Sequence, residues 1–204
     1  VVIPTMAGRE KYLHWAIKSC LIQDYPNFEV LISNNGGTDK IRELVESFSD
    51  RRLKYFYTEE FLPMAAHWEF IMLNTDGEII TIIGDDDALM PDSLTFVGSF
   101  FANPENSDVE CLTQLPAQYY WPDYPDACRQ NRYHYPQGSK KIDFLEPRKT
   151  FKAVAEFNDW YGNLPYIYHG FVKKNAVDRV RKLIGKVFSR IYPDVFLDMA
   201  LALT

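Results

Sequence analysis

A chain of 204 residues can bury a full core as one domain, or as one domain with a small appended lobe, and 47% hydrophobic against 25% charged residues is an ordinary globular balance. The net charge of −6 argues against a nucleic-acid-binding surface, and no stretch approaches the roughly 20 apolar residues of a membrane span or reads as a signal peptide. Cys20, Cys111 and Cys128 are odd in number and widely spaced, without paired metal-ligand spacing, so reduced thiols in a cytosolic protein are expected. The chain opens on Val1 inside an apparent strand and stops inside an apparent helix. It is therefore expected to be a piece of a longer protein, truncated at both ends, which leaves room for a membrane anchor outside it.

The first hundred residues alternate strand and helix. "VVIPT" predicts a short apolar strand, and Leu13, Ala16, Ile17, Cys20 and Leu21 recur at helical spacing between Arg9 and Ile22. "FEVLIS" predicts a second strand, followed by the turn "NNGGTD" and a helix through Ile41, Leu44, Val45 and Phe48 with Thr38 or Asp39 as its cap. "LKYFY" is a third strand, Met64 to Leu73 a helix, and "EIITIIG" a fourth, fully buried strand. Pro91 suits the first turn of a helix through Leu94, Val97 and Phe101. Strands separated by helices of this length predict an α/β fold with a mostly parallel sheet flanked by helices.

The texture then changes. After "VECLTQ", residues 115–138 are dense in Tyr, Pro and Asp without a clear period, which predicts an ordered long loop or irregular hairpin of the kind that builds a binding wall. Regular structure resumes with a helix near Arg148 to Phe157, a strand at "YIYHGFV", a helix from Asn175 to Ile184 and a final helix from Pro193.

In open α/β sheets ligands bind beyond the carboxyl ends of the strands, which selects "PTMAGR", "SNNGGTD" and "GDDDALMP". Asp85, Asp86 and Asp87 place three like charges directly after an apolar strand. Mg²⁺ or Mn²⁺, which prefer carboxylate and water oxygens, would answer that repulsion and keep positions open for phosphate. A solvated acidic turn at a helix start is the plainer alternative.

These pieces, in order "VVIPTMAGREKYLHWAIKSCLIQDYPNFEVLISNNGGTD", "MAAHWEFIMLNTDGE" and "GEIITIIGDDDALMPDSL", resemble the family 2 glycosyltransferases, inverting sugar transferases of the GT-A fold. The resemblance covers the first half well and the last forty residues loosely. It implies one GT-A-like domain, with residues 1–108 as a nucleotide- and metal-binding half and 109–204, including the irregular insertion, as an acceptor-side half. It implies a nucleotide diphosphate-sugar donor, a uridine diphosphate sugar foremost, a sugar or glycan acceptor, and Mn²⁺ or Mg²⁺ as cofactor. Pro4 and Thr5 match the segment that lines the base, and Arg9 could reach the nucleotide. Asn34 and Asn35 match a pair of aspartates that reads the base; an amide can both donate and accept, so thymine and guanine become less excluded. Asp85 falls beside the ribose. Aligned through Pro91, Asp86 is the metal ligand; counted as D-x-D from Asp85, the ligand is Asp87.

The resemblance also implies a carboxylate base at the start of a late helix. "YPDVFLDMALAL" offers Asp194, with Pro193 where a glutamate is usual, and Asp198 one turn on, expected to face solvent. His67 and His169 could contact diphosphate or acceptor, but a single histidine is more often structural, and that is the expectation for both. Tyr119, Tyr120, Trp121 and Tyr124 could stack on an acceptor sugar or pack the insertion on itself. Two other functions compete: a GT-A-like nucleotide-binding domain without turnover, kept alive by the Asn pair and Pro193, and a sugar-1-phosphate nucleotidyltransferase. The latter is disfavoured because "PTMAGRE" lacks a glycine-rich basic phosphate loop.

Overall fold

The computed structural model describes residues 1–37, 39–136, 142–189 and 192–204. Strands β1 (Val2–Thr5), β2 (Val30–Asn35) and β3 (Leu53–Thr58) pair in parallel in the order β1-β2-β3. Between them run α1 (Glu10–Leu21) and α2 (Asp39–Ser47), with α3 (Met64–Met72) after β3. The expected helix after the Asn-Gly turn thus opens at Asp39, while Thr38 lies outside the described residues.

The predicted fourth strand is present but regular ladder pairing is confined to β4 (Ile79–Ile80). The chain stays extended beyond it: the Val2 amide donates to the Thr81 carbonyl at 2.9 Å and the Ile83 amide to the Val2 carbonyl at 3.0 Å. That stitch joins the parallel strands to a second set in the order β4-β8-β5, where β5 is Cys111–Leu112 and β8 is Phe171–Lys173. Both ladder pairings of β8 are antiparallel, while Ile82 bridges Val2 and Tyr168 in parallel, so the parallel character predicted for the sheet extends from β1-β2-β3 to the extended chain at Ile82 and is lost at β8. The strand expected from Tyr166 begins only at Phe171, because His169 adopts a left-handed φ of +67° that interrupts the ladder.

Alternation along the strands makes the fold three-layered. Val2, Leu31, Ile80 and Ile82 face one core with Trp68, Ile71 and Met72 of α3, Val177 and Val180 of α6 (Lys174–Ile184), and Leu197 and Leu201 of α7 (Pro193–Leu203). Ile3, Val30, Ile32 and Ile83 face the other, with Leu13, Ile17 and Cys20 of α1, Ile41 and Val45 of α2, and Leu94 and Val97 of α4 (Ser93–Ala102). Period-two side chains buried on both faces are what a helix-covered sheet requires. Pro91 precedes α4 instead of sitting in its first turn. Asp92, at φ +63°, turns the chain between the proline and the helix.

The predicted insertion folds as a short hairpin, β6 (Gln118–Tyr119) with β7 (Tyr133–His134), antiparallel in register Tyr119↔Tyr133. Helix α5 (Pro147–Ala155) follows, capped by the Glu146 carboxylate, which accepts from the Arg148 and Lys149 amides. The three cysteines are free. Among the described residues no helix is long and apolar enough to cross a membrane.

Candidate active site

The carboxyl ends of β1, β2 and residues 79–83 meet at the acidic loop, and the three aspartates resolve their mutual repulsion by taking different surroundings. Asp85 is buried: the Thr5 hydroxyl donates to Oδ2 at 2.7 Å, and Arg9 donates from Nε at 2.8 Å and Nη2 at 2.6 Å to Oδ1. Arg9 stands directly before α1; its guanidinium, a donor that cannot cap the helix amides, is turned across the sheet edge to the acidic loop. Its Nη2 also lies 2.6 Å from Oδ2 of Asp86, whose side chain is 45% exposed. Asp87 turns the other way, with Oδ2 accepting from the Gly84 amide at 2.7 Å and the Tyr168 hydroxyl at 2.9 Å and lying 2.7 Å from His169 Nε2. Burial alone would push the Asp87 carboxyl up, but His169, the Gly84 amide and Tyr168 outweigh it and hold the group below its ordinary value. Gly84 permits this packing. A Cβ there would come within 2.9 Å of Tyr168, Asp87 and Asp86 atoms.

Helix α1 also supports the loop from beneath. The Ser19 hydroxyl accepts from the Leu89 amide at 3.0 Å, while buried Gln23 donates to the Met90 carbonyl at 3.0 Å and accepts from the Leu94 amide at 3.1 Å. These two residues were absent from the sequence reading. Their one signal is polarity among apolar neighbours: Ser19 lies on the buried face of α1 beside Ala16 and Cys20, and Gln23 is buried just past the end of that helix. Gln23→Met should leave the Leu94 amide and Met90 carbonyl without their partner at a buried position, at a cost of about 1–3 kcal/mol. Thermal melting would show it; an unchanged midpoint would mean that water replaces the amide freely.

At the end of β2 the side chains are already engaged. Asn34 donates to the Tyr55 hydroxyl at 2.9 Å. Asn35 donates to the Leu62 carbonyl and accepts from the Leu62 amide, both at 2.8 Å, and Gly36 supplies the following turn at φ +61°. Ser33 lies 2.7 Å from His67 Nε2, and burial pushes that imidazole down to about 4, so His67 is a neutral, hydrogen-bonded core residue. Pro4 occupies β1 opposite Ser33.

The insertion lies over the acidic loop. The Trp121 indole donates to the Asp86 carbonyl at 3.3 Å and packs edge-on against Tyr12, whose hydroxyl donates to Asp123 at 2.5 Å. Lys11 completes this contact at 3.0 Å from Asp123. Tyr119 also meets Trp121, and Tyr120 meets Tyr124, so these rings pack within the insertion.

Asp194 is half-buried in the first turn of α7, behind Pro193. Asp198 corrects the expectation of a solvent-facing acid: it is 1% exposed, accepts from the Ile167 amide at 3.4 Å through Oδ1, and its Oδ2 has no partner among the described residues. Burial first, with Asp194 adding to it, pushes the Asp198 carboxyl up to about 9. The Ile167 amide reaches Asp198 and the next residue's hydroxyl, Tyr168, reaches Asp87, so one short segment runs between α7 and the acidic loop.

Among the described residues no group of three or more His, Cys, Asp and Glu could by itself cage a metal ion. A hard cation that shares its shell with water and phosphate oxygens needs only one or two protein carboxylates. The half-exposed Asp86 meets that lesser requirement, so the donor set fits a shared cation and not a caged one.

Comparison with known proteins agrees with this architecture. The family described as "Glycosyl transferase family 2" matches residues 1–155. An uncharacterized glycosyltransferase of Haemophilus influenzae is 33% identical over 146 residues, 71% of this chain and 54% of its own. The chain thus spans about half the length of that relative. The crystal structure of S. aureus TarS 1-349 in complex with UDP-GlcNAc superposes with a TM-score of 0.63 at 16% identity, covering 99% of this chain and 52% of that one. A mannosyltransferase from Pyrobaculum calidifontis in complex with GDP-Man and Mn²⁺ superposes with a TM-score of 0.60 at 18% identity, over 96% of this chain and 49% of that one. The fold is thereby of the GT-A type. With three quarters of its length inside the family match, the chain belongs to glycosyl transferase family 2.

Proposed function

We propose that the protein transfers a sugar from a nucleotide diphosphate-sugar to an acceptor hydroxyl, with inversion and with help from Mn²⁺ or Mg²⁺. The observation that carries this reading is the acidic loop: a half-exposed Asp86 pairs with an arginine from the first strand-helix junction, and Asp87 is tied through Tyr168 to the segment that meets α7 at Asp198. Family membership supports the reaction class, and the bound ligands of the TarS and Pyrobaculum structures support the donor class.

In this reading Pro4 and Thr5 line the nucleotide, and Asp85 lies beside the ribose. Arg9, already turned to this edge, binds the diphosphate. Asn34 and Asn35 shape the base subsite through the backbone their amides hold in place. Asp86 carries the cation, and Asp87, held by Tyr168 and His169, keeps the loop in shape and adds negative charge. Held by Asp86, a cation would offset charge that develops on the leaving diphosphate. Asp194 removes the proton from the acceptor hydroxyl, which attacks the anomeric carbon from the face opposite the leaving group.

Calorimetry tests the loop assignment. Nucleotide diphosphate should bind more tightly with Mn²⁺ or Mg²⁺ present, and Asp86→Ala should abolish that dependence. Metal-assisted affinity that survives the substitution would remove Asp86 from the cation site.

A further inference from the structure

We propose that Arg9 is an internal counter-cation that occupies Asp86 until a nucleotide diphosphate draws it away, so that divalent cation and nucleotide bind as a coupled pair. This rests on the donor and cation roles assigned above. One nitrogen, Nη2, lies 2.6 Å from both Asp85 Oδ1 and Asp86 Oδ2, and Nε adds a second contact to Asp85 at 2.8 Å. The two carboxylates are unequal partners. Asp85, with a side chain 9% exposed and a second bond from Thr5, is a desolvated anchor that two N–H groups share. Asp86 is reached through one nitrogen and stands half in solvent, where an ion pair is weak and exchangeable.

Arg9 is also held from behind. Its guanidinium lies 4.7 Å over the Tyr12 ring, and Tyr12 packs against Trp121, which donates to the Asp86 backbone. The side chain that neutralises Asp86 and the backbone that carries Asp86 are therefore fastened to the same aromatic pair. A divalent cation arriving alone meets a positive charge already on its ligand. A diphosphate changes both sides of that competition: it offers Arg9 a charged, fork-matching partner and offers the cation further oxygens. Arg9 can turn from Asp86 to phosphate while keeping Asp85 as its pivot. Coupling of this kind is reciprocal, each ligand tightening the other by one factor.

Titration of Mn²⁺, followed by the electron paramagnetic resonance of the free ion, reads this directly without turnover. The parent protein should bind Mn²⁺ alone weakly, and more tightly with UDP or GDP. Arg9→Gln should bind Mn²⁺ alone more tightly than the parent, by a factor in the roughly 5–150-fold range of coupled sites, with a smaller enhancement by nucleotide. Arg9→Lys keeps the charge and should retain the weak binding of the parent. Adding Asp86→Asn to Arg9→Gln should erase the gain. If Arg9→Gln fails to fold, Arg9→Gln/Asp85→Asn, which strands no buried carboxylate, takes its place. Unchanged or weaker Mn²⁺ binding in the Gln variant would overturn the inference, as would an equal gain in the Lys variant or a gain that survives Asp86→Asn. A parent that binds no Mn²⁺ with either nucleotide would overturn the donor and cation reading, and this inference with it.

Discussion

Asp194→Asn is expected to bind donor nucleotide as the parent does and to turn over on the order of 10²–10⁴-fold more slowly, the usual contribution of a general base. Asp194 lies in the first turn of α7, directly behind Pro193. It is half-buried and stands one turn before Asp198, which the Ile167 amide ties to the segment that reaches Asp87 through Tyr168. Asp198, one turn on, is buried and protonated at neutral pH. The readouts are turnover at saturating substrates and donor affinity measured separately. A folded variant with near-normal turnover would take Asp194 out of the mechanism; a loss confined to donor affinity would move it to the donor side.

The second large effect concerns stability. The Asp198 carboxyl has its pKa raised from 3.8 to about 9 in the folded chain. The fold therefore holds a proton there that the unfolded chain releases above its own, lower pKa, and stability falls as pH rises from about 4 to about 9. At pH 7 the accumulated penalty is about 4 kcal/mol, from 1.36 kcal/mol for each pH unit above the unfolded value. Asp198→Asn keeps an oxygen for the Ile167 amide and cannot ionise, so it removes this slope. The variant should gain on the parent steadily between about pH 4 and pH 9, by up to about 4 kcal/mol at pH 7, less whatever its own buried amide costs. Denaturant unfolding across that range measures the difference. A difference independent of pH would mean that Asp198 is ionised in the fold.

These two expectations also separate turnover from folding on one helix. The change at Asp194 should act on chemistry with little effect on stability, while the change at Asp198 should act on stability. Turnover lost at Asp198 with Asp194 unaffected would place the base one turn along.

Most of the architecture was legible from periodicity, because alternating apolar strands and helices with one apolar stripe can be buried together in few ways. Val2 against Ile3, and Ile82 against Ile83, assign themselves to opposite cores by pleat alone. The acidic triplet and the proline-started late helix were likewise visible as local strings, and so was the irregular character of residues 115–138. What the strings could not carry was direction in the third dimension. Asp85, Asp86 and Asp87 are equivalent letters, yet Thr5 and Arg9 bury the first, Tyr168 and His169 hold the third, and the second is left toward solvent. Those partners lie about eighty positions away on either side, beyond the reach of any local pattern. Asp198 looked solvent-facing because acids on helices usually are; it is buried because α3, α5 and α6 pack on the same helix and cover it. Strand order after residue 109 was hidden for the same reason. Nothing local to "YIYHGFV" says that one left-handed residue, His169, postpones the ladder to Phe171 and lets the strand run antiparallel between β4 and β5. Short-range order is set by propensity and pattern, whereas the surroundings of a charge are set by whichever distant segments the closed sheet brings to its edge.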